Sequence, residues 1–172
     1  MRLKNQLSYG NNNKVIAISD TEVAKLFLGD TRSDIGSEAQ KMQFANQIND
    51  LVVKFHRLAF DEQNNWDMLV MERLYPLDFR TLEIEKRELI FEVFEYELNV
   101  LHKAGFVHRD IKRPSNISGS TYDNIFLTSQ GFRLIDCGIS AIQTAVGNDL
   151  FKRYLKIELK EIAEFKEYFL NR

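Results

Sequence analysis

The sequence contains very little cysteine and very little proline. Cys137 is its one cysteine, which excludes a disulfide within the chain. The first residues do not show the pattern of a secretion signal, so we expect a reducing compartment. The two prolines, Pro76 and Pro114, leave no proline-rich linker that divides the chain.

A strong charge of one sign is also absent. The 172 residues include 23 Lys and Arg and 25 Asp and Glu, which gives a formal net charge of -2. Such a charge produces no long-range field for nucleic acid or anionic lipid, and no apolar run is long enough to span a membrane. We therefore expect neither nucleic acid nor membrane as a partner. With 44% hydrophobic and 28% charged residues, the composition is typical of a globular protein.

Short apolar runs in the first half of the chain predict strands. Residues 15–18 and 23–27 are β-rich and predict a hairpin. Residues 37–49 predict a helix, because Ser37 to Gln40 has the form of a capping box. Two further strands are predicted at 51–60 and 66–74, separated by a polar turn.

The second half of the chain is mainly helical in its pattern. Apolar residues at helical spacing over 86–103 surround much of the cylinder and predict a helix buried on more than one side, which Gly105 ends. Residues 125–127 and 132–135 predict a short hairpin. A last helix is predicted from 148 onward, with an apolar stripe that contains Leu155, Leu159, Ile162 and Phe169.

Two polar triplets carry most of the functional information. His108-Arg109-Asp110 follows a short apolar run, and Asp136-Cys137-Gly138 follows the second strand of the predicted hairpin. Upstream, Lys25 lies in a strand of sequence Val-Ala-Lys-Leu. In this order, over about residues 14–140, these features resemble the catalytic core of the protein kinase superfamily.

The resemblance implies an α+β, two-lobed protein-kinase-like fold. A β-rich N-lobe is expected to about residue 74, and a reduced, mainly helical C-lobe over 75–172, in one minimal domain of residues 1–172. The resemblance also implies two cofactors, ATP and Mg²⁺, and a set of residues that contact them.

Lys25 is implied to contact the α- and β-phosphates of ATP, and Glu38 is its candidate acidic partner from the following helix. The alternatives are a solvated strand lysine and a glutamate that stabilises the first helical turn. Asp110 is implied to accept the proton of the attacking hydroxyl group, and Lys112 to contact the γ-phosphate. An aspartate that merely caps a turn is the alternative for Asp110.

Asp136 is the implied magnesium ligand, and an asparagine is expected as the second one. Asn124 is favoured because it precedes the predicted hairpin, with residues 114–123 as an insertion; Asn116 is held in reserve. Either asparagine could instead form a turn. The segment Met71, Glu72, Arg73 and Leu74 resembles the hinge whose main chain binds adenine, although a methionine in a strand also suits a core position.

Three features depart from the kinase pattern. Only Gly10, beside Asn11 to Asn13, stands where a glycine-rich loop is expected. Cys137 replaces a phenylalanine, and we interpret it as a small buried residue rather than a redox switch. The segment that follows Gly138 is short for a regulated activation loop.

The resemblance implies ATP-dependent phosphoryl transfer, with Ser or Thr hydroxyl groups of a protein as the expected acceptor. A nucleotide-binding module without activity and a small-molecule kinase are the alternatives. The composition and the expected activity suit a cytoplasmic protein, or a secreted effector that acts in the cytosol of a host cell. The sequence does not name the substrate protein or any activating partner.

Overall fold

A five-stranded antiparallel sheet forms the first half of the molecule, in a computed structural model that describes residues 6–9, 13–27, 34–114 and 120–172. The strands lie in the order β1-β2-β3-β5-β4. They are β1 (Gln6–Tyr9), β2 (Asn13–Ala17), β3 (Glu22–Phe27), β4 (Phe55–Asp61) and β5 (Trp66–Glu72). The register pairs Lys25 of β3 with Val15 on one side and Leu69 on the other, so Lys25 lies within the sheet and not at its edge.

The first helix, α1 (Ile35–Asn46), packs against β4 and β5. It begins earlier than the sequence predicts: Asp34 is the N-cap, and its side chain accepts a hydrogen bond from the Gly36 N–H at 2.8 Å. The capping box predicted at Ser37 is therefore wrong, because the helix is capped by Asp34 and Ser37 lies within its first turn. Glu38, Ala39, Met42 and Ala45 form the buried side of this helix.

The strand predicted over residues 51–60 starts only at Phe55. Leu51, Val52 and Val53 are buried, but their main chain bonds to Leu134 and not to the sheet. The Val53 N–H donates to the Leu134 carbonyl at 2.9 Å, and the Leu134 N–H donates to the Leu51 carbonyl at 2.8 Å. This segment therefore ties the sheet to the second half of the molecule.

The second half of the molecule, as far as it is described, is built on two long helices, one short helix and two short strand pairs. Its elements are α2 (Ile84–Lys103), β6 (Phe106–Val107), β7 (Ile125–Thr128), β8 (Gly131–Leu134), β9 (Ala141–Ile142), α3 (Gln143–Val146) and α4 (Asn148–Leu170). β7 and β8 form the predicted hairpin, and β9 pairs with β6. Gly105 ends α2 with a φ of 91°, a conformation that side chains disfavour.

Only one side of α2 is buried, contrary to the prediction from its apolar pattern. Phe91, Phe94, Leu98 and Leu101 face the core, whereas Leu89, Val93 and Tyr96 are 63%, 56% and 70% exposed. In α4 the predicted stripe is also corrected, because Leu159 is 53% exposed and Glu158 occupies the buried position beside it. None of the described helices combines the length and apolarity needed to cross a membrane.

Phenylalanine rings join α2, β8 and α4 into one core. The ring centroids of Phe94 and Phe132 are 5.0 Å apart, and those of Phe132 and Phe169 are 4.9 Å apart. Phe165 of α4 contacts the rings of Phe91, Phe94 and Phe132 in the same cluster. Edge-to-face contacts of this kind add to the hydrophobic burial of each ring, so α4 is held firmly against α2.

Phe165→Ala should lower the free energy of unfolding by about 3–5 kcal/mol, because truncation of a buried aromatic side chain removes its contacts and leaves a cavity. Tyr96→Ala is the matched control, since that exposed ring should matter by about 0.5 kcal/mol or less. Urea unfolding followed by circular dichroism measures both variants. Equal losses in the two would contradict the assignment of α4 to the core.

Candidate active site

Lys25 lies at the centre of a buried ionic cluster. Its side chain is almost fully buried, at 4% exposure, and its Nζ donates to both carboxylate oxygens of Glu38, at 2.9 and 3.0 Å. The same Nζ donates to Asp136 Oδ1 at 2.8 Å. The sheet, α1 and the segment after β8 each supply one of these three residues, so the cluster forms only when the three parts of the fold meet.

The charges in the cluster shift the pKa values of its members in different directions. Burial acts to lower the pKa of Lys25, but the carboxylates of Asp136 and Glu38 outweigh it and raise that pKa. For Asp136, burial acts to raise the pKa, and the charge and hydrogen bond of Lys25 hold it below the ordinary value. Burial dominates at Glu38, whose pKa is raised despite its contact with Lys25. Asp136 is therefore the firmly ionised carboxylate of the cluster.

His108 and Lys41 hold the segment around Asp136 in place. The fully buried His108 donates from Nε2 to the carbonyl of Ile135 at 2.9 Å, directly before Asp136. Lys41 of α1 donates from Nζ to the carbonyl of Gly138, the last residue of the triplet, at 2.8 Å. Both triplets of the sequence are thus linked to each other and to α1.

Asp110 lies close to this cluster and meets Asn124. Burial raises the pKa of Asp110, and the nearby charge of Asp136 adds to the increase. The Asn124 side-chain amide donates to the Asp110 carbonyl oxygen at 2.9 Å, and the Asn124 carbonyl accepts from the N–H of Ile135 at 3.0 Å. Asn124 therefore lies between the segments that carry Asp110 and Asp136.

Arg113 bonds to Thr121 and Asp123, which lie beyond a segment outside the described residues. The main-chain N–H of Arg113 donates to the carbonyl of Thr121 at 2.8 Å, and the Arg113 guanidinium pairs with Asp123. This closure brings Asn124 back to Asp110 across the intervening residues. The reserve candidate, Asn116, and the glycine-poor segment at Gly10 lie outside the described residues.

Two residues of the triplets have a left-handed backbone. Arg109 has a φ of 71° and Asp136 a φ of 60°. Such conformations are costly for residues other than glycine, and they concentrate at functional sites. The Arg109 side chain is occupied locally, because it donates to the Ile139 carbonyl at 2.8 Å and lies 3.7 Å from the Tyr154 ring centroid.

Lys112 is directed toward α4. Its Nζ forms an ion pair with Glu164, whose hydrogen bond and charge raise the pKa of Lys112. No contact in the described structure links Lys112 to Lys25 or Asp136. Its implied role at the γ-phosphate is therefore not tested by this geometry.

Glu158 of α4 is a site residue that the sequence analysis did not identify. It is fully buried, and its carboxylate accepts from the Arg109 main-chain N–H at 2.5 Å and from His102 Nε2 at 2.8 Å. These bonds anchor the strained residue that directly precedes Asp110. The available signal was a glutamate at helical spacing from Leu155 and Ile162, within an otherwise apolar stripe.

The proposed hinge, Met71 to Leu74, begins within β5, which ends at Glu72. Met71 is mostly buried and packs in the main core, so the core interpretation of this methionine holds. The Arg73 N–H donates to the Thr21 carbonyl at 2.9 Å. Among the described residues, no partner is bonded to the main-chain N–H of Leu74. The main-chain N–H of Leu74 is therefore available to donate a hydrogen bond to the edge of an adenine ring. The Leu74 side chain is partly buried.

The residues around Asp136 fit a magnesium ion that is shared with phosphate groups. Mg²⁺ takes oxygen ligands and usually keeps several waters beside one or two protein groups. The Asp136 carboxylate and the Asn124 side-chain oxygen, which lie on adjacent segments, would be two such ligands. Within the described part of the chain, no group of three or more His, Cys, Asp or Glu side chains is arranged to hold a metal ion.

The architecture is that of a protein kinase. The chain matches the solved structure of the Cydia pomonella granulovirus kinase PK-1 with a TM-score of 0.65 and 16% identity, over 98% of this chain and 67% of that one. No protein-family model and no curated protein matches the sequence. At this identity the likeness establishes the fold: α+β, protein-kinase-like, with a β-rich N-lobe and a reduced, mainly helical C-lobe.

Cys137 should resist thiol reagents in the folded protein. The side chain is completely buried, and burial raises the pKa of its thiol to about 12. Because the folded-state pKa is the higher one, the neutral thiol's contribution to stability is present below the ordinary thiol pKa and is lost as the pH rises toward about 12. Labelling with Ellman's reagent at mildly alkaline pH should be slow in buffer and complete in denaturant. Rapid labelling in buffer would contradict this placement.

Proposed function

We propose that this chain transfers the γ-phosphoryl group of ATP to a hydroxyl group, with Ser or Thr of a protein as the acceptor. The observation that carries the proposal is the buried contact of Lys25 with Glu38 and Asp136, beside Asp110. A lysine and two aspartates so arranged meet the main requirement of phosphoryl transfer, which is positioning and neutralisation of charge. The proposal also sets the boundary between the two lobes near residue 74.

In this proposal the ATP adenine contacts the main chain of the hinge, from Met71 to Leu74. Lys25 moves its hydrogen bonds from Asp136 to the α- and β-phosphates, while Glu38 keeps the ammonium in place. Asp136 and Asn124 would hold Mg²⁺, which would neutralise charge on the phosphates. The Asp136 carboxylate accepts a hydrogen bond from Lys25 Nζ at 2.8 Å. When Lys25 turns to the phosphates, this carboxylate becomes free to bind the ion.

Asp110 then accepts the proton of the acceptor hydroxyl group. The hydroxyl oxygen forms a bond to the γ-phosphorus, the bond between that phosphorus and the oxygen of the departing ADP breaks, and the proton moves to the Asp110 carboxylate. Burial raises the pKa of Asp110, which makes it a better base than an exposed aspartate. Lys112 neutralises charge on the transferred group.

The alternatives are a nucleotide-binding module without activity and a small-molecule kinase. Loss of activity in such folds is expected to accompany loss of an ion ligand or of the catalytic aspartate, and this chain has Lys25, Asp110 and Asp136 together. Transfer of labelled phosphate to proteins of a lysate, compared with Asp110→Ala, tests the function directly. Transfer to a small acceptor but to no protein would favour the small-molecule kinase.

ATP should stabilise the protein in a magnesium-dependent manner. A ligand present at about a hundred times its dissociation constant adds about 2.7 kcal/mol of stability. Asp136→Asn should remove the magnesium-dependent part of this gain, while Asp67→Asn, a change of an exposed carboxylate on β5, should preserve it. Differential scanning fluorimetry with ATP, with and without magnesium, measures the effect. Absence of any magnesium-dependent shift in the unsubstituted protein would count against the proposed enzyme.

Asn124→Ala should reduce turnover at least about tenfold, equivalent to about 1.4 kcal/mol in the barrier, whereas Asn116→Ala should leave most of the activity. Loss of a metal contact removes stabilisation of the developing charge, which a turn residue does not supply. Asn124→Asp keeps an oxygen ligand but loses the amide donor to Asp110, and should retain the magnesium-dependent shift. The reverse order of the two alanine variants would make Asn116 the ligand.

A further inference from the structure

Three glutamates of α4 face the catalytic segment. Glu158, Glu161 and Glu164 recur at every third residue, which places them in sequence along one side of the helix. This side is turned toward residues 109–112, the segment that contains Asp110. The described helix therefore presents a row of carboxylates to the main chain of the proposed catalytic loop.

Each of the three carboxylates binds a different group of that segment. Glu158 accepts from the main-chain N–H of Arg109. Glu161 accepts from the main-chain N–H of Lys112. Glu164 pairs with the side-chain Nζ of Lys112. The three glutamates thus hold residues 109–112 at the main chain of Arg109, at the main chain of Lys112 and at the ammonium group of Lys112.

We propose that Glu161 and Glu164 are positioning residues for phosphoryl transfer, which set the main chain and the side chain of Lys112 and so orient Asp110 between two anchored positions. This inference rests on the proposed function. Asp110 lies between Arg109 and Lys112, so the direction of its carboxylate depends on where those two residues are held. Glu158 and Glu161 hold them through main-chain hydrogen bonds.

Glu164 acts on Lys112 in a different way. The side chains of Lys112 and Glu164 are 39% and 37% exposed, and an ion pair at such exposure contributes little to folding. This ion pair acts on the position of Lys112, because it restricts the long lysine side chain to one region beside Asp110. Lys160 also approaches Glu164, at 3.9 Å, so the carboxylate keeps a cationic partner when Lys112 turns toward a phosphate.

The environment of Glu161 affects whether its carboxylate is ionised, and so the strength of its hydrogen bond with the Lys112 N–H. One of its carboxylate oxygens, Oε2, is buried and has no hydrogen-bond partner among the described residues. Burial and the neighbouring Glu158 raise the pKa of Glu161 to about 7, with smaller contributions from Asp110 and Glu164. The other ionisable groups that face it are Lys112 and Tyr122. Above this pKa the hydrogen bond from the Lys112 N–H becomes charge-assisted and stronger.

The turnover test compares Glu161→Gln and Glu164→Gln with Glu167→Gln, an exposed glutamate of the same helix that bonds only to Asn171 in the described structure. ATP hydrolysis, with water as acceptor, supplies kcat and KM. Both positioning variants should lose about tenfold in kcat with little change in KM for ATP or in melting temperature, and the control should match the unsubstituted protein. Unchanged kcat in both variants would overturn the proposal.

A double-variant cycle separates positioning from a merely structural role. Lys112→Met and Lys112→Met/Glu164→Gln should have the same kcat, because Glu164 acts only through Lys112. Glu164→Asp, which keeps the charge on a shorter side chain, should recover part of the rate lost in Glu164→Gln. Additive losses in the cycle would show that Glu164 acts independently of Lys112 and would refute its assigned role.

The main-chain contact is tested without any turnover. In the unsubstituted protein, the amide resonance of Lys112 should titrate with a midpoint near pH 7, as Glu161 ionises. This titration should vanish in Glu161→Gln and persist in Glu167→Gln. Absence of turnover in the unsubstituted protein, with the titration present, would refute the proposed function while leaving the anchoring of Lys112 supported. Absence of the titration would overturn the anchoring itself.

Discussion

The buried ammonium group of Lys25 is the interaction on which the rest of the site depends. An isolated charge in such a position is very costly, and it is tolerated only when it is paired and hydrogen-bonded. Glu38 and Asp136 provide the pairing, from α1 and from the segment after β8. Because these partners come from distant parts of the chain, correct docking of the sheet, α1 and the second half of the molecule is required before Lys25 can be buried.

The cluster also has an imbalance of charge that suits its proposed task. One lysine faces two carboxylates, and Asp110 adds a third acidic group nearby. The raised pKa values of Glu38 and Asp110 express mainly the cost of burying these carboxylates, to which the charge of Asp136 adds. A divalent cation would relieve that cost, and so would a nucleotide that brings one. Under the proposed function, this excess of acidic groups favours a nucleotide that carries magnesium over ATP alone.

Local patterns were sufficient to predict the parts of the fold that local chemistry determines. The strands around Lys25, the hairpin before Asp136 and the helix ended by Gly105 all follow from apolar periodicity and turn residues. The start of β4 was predicted too early because the main chain of residues 51–53 bonds to Leu134. The apolar run in the sequence does not show this long-range contact. Leu89 and Val93 were wrongly assigned to a buried face, since periodicity does not show whether a neighbouring element covers a given side.

The candidate site was also predicted only in part, because local sequence patterns do not show which distant residues come together. Lys25, Asp110 and Asp136 stand in recognisable local contexts, whereas Glu158, Glu161 and Glu164 act on residues far away in sequence. Their role depends on where α4 lies, and the aromatic cluster of Phe91, Phe132 and Phe165 decides that position.

The aromatic core and the proposed catalytic segment, residues 109–112, are therefore linked through one helix, α4. The side of α4 that buries Phe165 and Phe169 fixes its axial position against α2 and β8. A shift of that helix by one residue would move the glutamates of the row away from their partners, because a helix turns by about 100° and rises about 1.5 Å per residue. The strained backbone of Arg109, which Glu158 holds, would then be free to relax. Packing that looks remote from the chemistry thus sets the geometry of Asp110.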